Sequence, residues 1–181
     1  MYENIHLTVY EGVIQPLPWS HEEPLVRYHF GAYETFPDSL NGDDELGYLD
    51  TVVPLPGVAD IEYLEVENTH RKHGIGTLLL RATLAHFKQQ GFTHVQTESF
   101  SPNGIRTFNA ALPPDVIDYI SYHDPELGVL PVRFDQTLAS AERAQTQRES
   151  RLHHEIYPGF GASISLSRVD TSDWPLPKLM E

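Results

Sequence analysis

The sequence predicts an α+β domain: a mixed β-sheet with helices packed on it. Three observations point there. Residues 61–66 (Ile-Glu-Tyr-Leu-Glu-Val) read as a strand, Ile75 to Gln90 carries apolar residues at helical spacing, and Thr93 to Glu98 alternates as a second strand. A strand–helix–strand unit places its two strands parallel with the helix crossing between them. Upstream, short alternating segments separated by turns read as an antiparallel meander, which makes the sheet mixed.

Taken in order, Ile5 to Tyr10 alternates as a first strand. Prolines at 16, 18, 24 and 37 then interrupt the chain on either side of a second strand, Leu25 to Phe30. Asn41 to Glu45 is a polar turn, Gly47 to Leu55 a third strand, and Asp60 to Val66 a fourth. Strict alternation on that fourth strand would put Tyr63 and Glu65 on one face and Glu62 and Leu64 on the other. In the helix, Ile75, Leu79 and Ala82 fall three or four apart, as do Leu78 and Ala85. Leu80, Leu84 and Phe87 widen the apolar face, and Gly91 stands where a C-terminal cap belongs. Beyond residue 112, Pro113-Pro114 stops the preceding helix, and Asp115 to Tyr122 reads as a short helix. Val129 to Phe134 reads as a strand, Gln136 to Ile156 as a helix, and Gly161 to Val169 as a closing strand before an extended arm at Trp174 to Pro177.

At 181 residues the chain is expected to be one domain, residues 1–181, with ample length for a core. No apolar run is long enough to span a bilayer, and Met1-Tyr2-Glu3-Asn4 does not begin a signal peptide, so a cytoplasmic location is expected. Cysteine is absent, which excludes disulfides, thiolate zinc sites and a cysteine nucleophile. The net charge of −14 should repel nucleic acid and anionic membranes and attract cationic substrates, although solubility or salt adaptation accounts for it equally well. Ten histidines include His70/His73 and His153-His154. Neighbouring histidines on a helix diverge, the 70/73 pair has no third ligand in view, and no His-Glu-x-x-His occurs, so no metal is expected.

The segment from Val66 to Leu78 carries the most chemistry. An apolar strand enters Arg71-Lys72-His73-Gly74-Ile75-Gly76, and a Leu-rich helix follows at once. Free N–H groups at such a helix start, with the positive end of the helix dipole behind them, suit a phosphate or pyrophosphate. A dinucleotide fingerprint would need a third glycine where Leu79 stands, and no P-loop pattern occurs. The strand Ile61–Val66, the Arg-x-x-Gly-x-Gly loop and the helix opening Leu78-Leu79-Leu80 together resemble motif A of the GNAT family, the acyl-CoA-dependent N-acyltransferases. The resemblance covers residues 60–112 well and 1–60 loosely, and it hardly reaches 113–181, so the core is about 1–112 and the C-terminal part is divergent.

The resemblance implies a splayed sheet, acetyl-CoA as acyl donor, and direct transfer to a primary amine, a cationic acceptor in keeping with the acidic chain. A catalytically degenerate CoA-binding sensor is the alternative, and transfer to a hydroxyl stays open. It further implies that Leu64, Glu65 and Val66 border the pantetheine arm, with the Val66 N–H polarising the thioester carbonyl. Lys72, His73, Gly74, Ile75, Gly76 and Thr77 would surround the pyrophosphate, with Arg71 beside them; Arg71 and Lys72 would add charge or stand as solvated loop cations. Asn103 would hold the pantetheine arm. Glu98 is placed as the base that takes the amine's proton, with Glu62 and Glu65 as other candidates. The pattern departs at Ala110, where many members carry the tyrosine that protonates the leaving thiolate. Tyr119 or Tyr122 would substitute if the next segment folds back; core packing is their other use. The prolines between the first two strands imply a reduced helical insert on the acceptor side. The last 70 residues shape acceptor choice or an oligomer interface, a homodimer being one form of it.

Overall fold

The computed structural model describes residues 5–16, 23–35, 44–97, 102–124, 128–131 and 159–180. Four strands come first: β1 (His6–Ile14), β2 (Leu25–Tyr33), β3 (Glu45–Leu55) and β4 (Val58–Val66), each antiparallel to the last. They run longer than the alternating segments, because sheet pairing recruits flanking residues that show no pattern of their own. Helix α1 (Ile75–Gln89) crosses to β5 (His94–Thr97), which lies parallel to β4. Helix α2 (Pro102–Ala111) follows, then β6 (Ile117–Asp124), β7 (Gly128–Pro131), β8 (Gly159–Ser165) and β9 (Lys178–Met180). The sheet order is β7-β6-β8-β5-β4-β3-β2-β1-β9, with β9 parallel to β1 at one edge.

The α+β, mixed-sheet expectation holds, and the C-terminal part needs correction. The segment 115–122, expected as a helix, is a single 3-10 turn at Pro114–Val116 followed by β6. Ile117-Asp118-Tyr119 alternates apolar and polar, and the antiparallel register Ile117↔Ile164 with Tyr119↔Ala162 puts those apolar side chains into the core. The closing strand ends at Ser165, and Leu166–Arg168 forms a 3-10 turn. The tail is more than an arm, since its end pairs as β9. The helix expected over 136–156 lies outside the described residues, as do residues 17–22 and 36–43, parts of the proline-interrupted stretch where a reduced insert is expected.

The core sits where α1 packs on the sheet. Ile75, Leu79, Leu80, Leu84 and Phe87 are all essentially sealed from solvent. At about 25 cal/mol per Å² of apolar surface, each contributes roughly 2 kcal/mol. Phe87 meets Tyr28 edge-on at 5.1 Å and 88°, and Phe30 at 5.6 Å. His86 joins that cluster; burial holds its pKa below the ordinary value, so it stays neutral among the rings. Gly91 ends the helix at φ +82°, the left-handed conformation that satisfies a helix's last carbonyls. Lys88 Nζ donates to the Val169 carbonyl, and the Arg81 guanidinium lies 5.5 Å over the Trp174 ring, so α1 also anchors the tail.

Candidate functional site

Among the described residues, β4 and β5 pair at Val58↔His94, Ala59↔Val95 and Asp60↔Gln96. Past Asp60 the described register ends, and a cleft of about 770 Å³ lies along the remainder of β4. Tyr63, Leu64, Glu65 and Val66 form its strand wall, His70, Arg71 and Lys72 its loop, and Gly74 to Thr77 its helix end. Helix α2 closes the other side with Asn103, Gly104, Arg106, Thr107 and Ala110.

Backbone polarity aims the strand wall. The Glu67 N–H donates to the Leu46 carbonyl on β3, so alternation along the strand turns the N–H groups of Val66 and Leu64 the opposite way, toward the cleft. At the helix end, Gly74 is the N-cap at φ +86°, and its carbonyl accepts from Leu78 N–H at 2.9 Å. The N–H groups of Ile75, Gly76 and Thr77 precede that first intrahelical bond and lie on the cleft wall. A Cβ built on Gly74 meets nothing within 4 Å, so the glycine supplies backbone conformation rather than space within the protein. No acidic side chain stands in the first turn to compete with an anion.

The loop before the helix is braced. Arg71 Nε donates to the Val66 carbonyl at 2.9 Å, which ties the loop to the end of the strand. Arg71 is therefore more than a solvated cation, and it lines the cleft as well. Lys72 takes φ +67° and also lines the cleft. His73, placed by sequence beside the pyrophosphate, is exposed and does not line the cleft; it sits between two left-handed residues, Lys72 and Gly74.

Sequence reasoning also missed cleft residues on α2. Arg106 and Thr107 join Asn103 and Ala110 at the spacing of one helical face. Arg106 Nη1 donates to Asn103 Oδ1 at 3.3 Å, and Thr107 Oγ1 donates to the Asn103 carbonyl at 3.0 Å. The helical spacing was present in the sequence and would have found them. Glu98 lies outside the described residues. Tyr119 is buried, and its hydroxyl accepts from Asn109 Nδ2, so it serves packing and does not line the cleft.

The expected faces of β4 are corrected by a bulge. Asp50 pairs with Tyr63 and Thr51 with Ile61, which leaves Glu62 as the extra residue. The phase shifts by one there, so Glu62, Tyr63 and Glu65 share the face away from α1, while Leu64 and Val66 pack against the core. On that outer face the His29 ring nitrogens donate to Asp50 Oδ1 at 2.7 Å and Glu45 Oε1 at 2.9 Å. Arg27 Nη2 pairs with Asp50 Oδ2 at 2.7 Å and lies 3.8 Å from Glu62.

The hydrogen bond to Asp50, then that to Glu45, raise the His29 pKa to about 9, against a smaller opposing effect of burial. Since the folded value lies above the ordinary 6.5, the stability His29 contributes is complete below pH 6.5 and is lost as pH rises through about 9. The melting temperature should therefore fall more between about pH 7 and pH 10 in the natural protein than in His29→Gln. Parallel falls would show that the imidazolium contributes nothing.

Among the described residues no group of three or more His, Asp or Glu side chains is gathered to hold a metal, and no helix is long and apolar enough to cross a membrane.

A strand edge facing a helix N-terminus across a cleft is the arrangement the motif implied. The chain belongs to the acetyltransferase (GNAT) family: that family's model matches residues 7–108, more than half of the 181 residues. This is a family of acyltransferases that use acetyl-CoA. Similar solved structures include an acetyltransferase from Bacillus subtilis in complex with CoA, at 12% identity over 77% of this chain and 76% of that one, with a TM-score of 0.47. An acetyltransferase of the GNAT family from Staphylococcus aureus Mu50 has 11% identity over 77% and 68%, with a TM-score of 0.44. The IAA acetyltransferase from Bacillus cereus has 13% identity over 77% of each chain, also with a TM-score of 0.44. A comparison with curated proteins returns no match.

Proposed function

We propose that this chain, acting as one domain over residues 1–181, transfers an acetyl group from acetyl-CoA to a primary amine by direct attack in a ternary complex. The observation that carries the reading is the cleft itself, with outward N–H groups of β4 on one wall and the free first-turn N–H groups of α1 at its end. Ile75, Gly76 and Thr77 N–H, with Lys72 and Arg106 beside them, suit the pyrophosphate. Leu64, Glu65, Val66 and Asn103 border the pantetheine arm.

The chemistry follows from charge. As the amine nitrogen bonds to the carbonyl carbon, negative charge gathers on the thioester oxygen, and a fixed donor such as the Val66 N–H is worth about 3 kcal/mol of barrier. The C–S bond then breaks with its electron pair on sulfur. The acceptor must lose a proton to attack, so a carboxylate near the strand wall is required; Glu98 and Glu65 are the candidates. Ala110 on the cleft wall offers no hydroxyl, so the thiolate leaves without a tyrosine at that place. The acidic chain favours a cationic acceptor.

Calorimetric titration with acetyl-CoA tests the reading, followed by a screen for amine-dependent release of free CoA. Saturable one-site binding with release is the expected result. Binding without release by any amine would leave the CoA-binding sensor, which Ala110 favours, and no binding by folded protein would end both.

A further inference from the structure

The outer face of the sheet connects a half-buried cation to the cleft. His29 is clamped between Asp50 and Glu45, and both of its ring nitrogens donate. A second donor, the Tyr33 hydroxyl, meets the same Glu45 oxygen at 2.9 Å. The Tyr48 ring lies nearly parallel on the His29 ring, with centroids 5.6 Å apart and 23° between the planes. The Tyr48 hydroxyl donates to Glu65 Oε2 at 3.1 Å, and Glu65 lines the cleft beside Val66. Glu62, on the same face of this strand, lies toward Arg27 and does not line the cleft.

We infer that Glu65 is the carboxylate that receives the acceptor's proton, and that Tyr48 and His29 are positioning residues that hold it there. The inference rests on the acyltransferase reading and assigns its acceptor side. Tyr48 occupies one carboxylate oxygen and leaves the other for the ammonium. One proton passes from the ammonium to Glu65, the neutral nitrogen attacks, the C–S bond breaks onto sulfur, and the amide's surplus proton goes to solvent. The imidazolium under Tyr48 has its two N–H donors committed, so its ring is held rigid and the phenol on it keeps its direction.

Other charges act on Glu65 too. Arg27 and His29 on β2, Glu45 and Asp50 on β3, and Glu62 on β4 share its face, and His70, Arg71, Lys72 and Arg106 line the cleft. Beside them, the Tyr48 hydroxyl makes the hydrogen bond that fixes the direction of the Glu65 carboxylate.

The test uses the full chain, acetyl-CoA, and a panel of 1,4-diaminobutane, spermidine and free lysine, with CoA release as the signal. Tyr48→Phe should lower kcat/KM for the amine about tenfold, chiefly through kcat, with acetyl-CoA affinity unchanged. His29→Gln, which keeps the hydroxyl but not the charged ring beneath it, should lower the same kcat/KM by less, again with acetyl-CoA affinity unchanged. Glu65→Gln should cost about a hundredfold or more in the same kcat/KM. If the natural protein turns over an amine and Tyr48→Phe matches it in rate, the inference is wrong and the transferase reading stands. If acetyl-CoA binds and no amine in the panel releases CoA, both fall together.

Discussion

Replacing Gly76 with valine should weaken acetyl-CoA binding at least a hundredfold while the protein stays folded. Gly76 is the second residue of α1, where β4, α1 and α2 converge on the cleft. A Cβ there already stands 3.3 Å from Thr107 Cγ2 and 3.6 Å from Val66 Cγ2. Valine's two methyl groups have no room, so the helix end must shift off the strand wall or fill the cleft. Overpacking of this kind costs about 1–3 kcal/mol in stability, which a domain of this size survives. The positions of the first-turn N–H groups do not survive it, and a misplacement of about 1 Å is enough to lose an oriented contact. Calorimetry beside thermal unfolding separates the two effects. Near-natural affinity in a folded Gly76→Val would move the pyrophosphate site elsewhere.

Phe87→Ala should be the most damaging single change to stability, lowering it by about 3–5 kcal/mol in denaturant unfolding. Phe87 is fully buried and touches rings from two directions: Tyr28 and Phe30 on β2, and Phe92 at 4.7 Å just past the helix. Rigid sheet and helix backbones surround the site, so it cannot collapse to fill the void. The cleft is lined by other residues, so protein that remains folded should bind acetyl-CoA with its usual stoichiometry. A loss under about 1.5 kcal/mol would mean that the cluster repacks.

How far the sequence was readable follows from where local and long-range forces agree. Helix α1 was expected over 75–90 and runs Ile75–Gln89, because its spacing, its glycine boundaries and its burial all favour the same element. The parallel pairing of β4 with β5 was equally readable, since a crossover of this length permits little else. β6 was misread as a helix because Ile117 to Tyr122 is short and ambiguous, and its partner β8 begins nearly forty residues later. The bulge at Glu62 left no trace in composition. It exists only as a mismatch between β3 and β4, and it reassigned Glu62 to the face of Glu65. The network on that face was invisible for the same reason: His29 on β2 meets Glu45, Asp50 and Tyr48 on β3 only once the two strands are in register. In the cleft, the loop and helix-end residues were legible from the motif, whereas Arg106 and Thr107 needed the face of α2.

The short pairing of β4 with β5 makes the fold its own reporter. Amides on β4 alternate between bonding β3 and pointing the other way, and past Asp60 the second set, Leu64 and Val66 among them, points at the cleft. Their deuterium uptake should belong to the fast, solvent-exposed class, while their neighbours in the same strand exchange with the slow core. Within β4, adding acetyl-CoA should slow that alternate set and leave its neighbours unchanged, a pattern of protection that records residue by residue where the bound molecule lies along the strand.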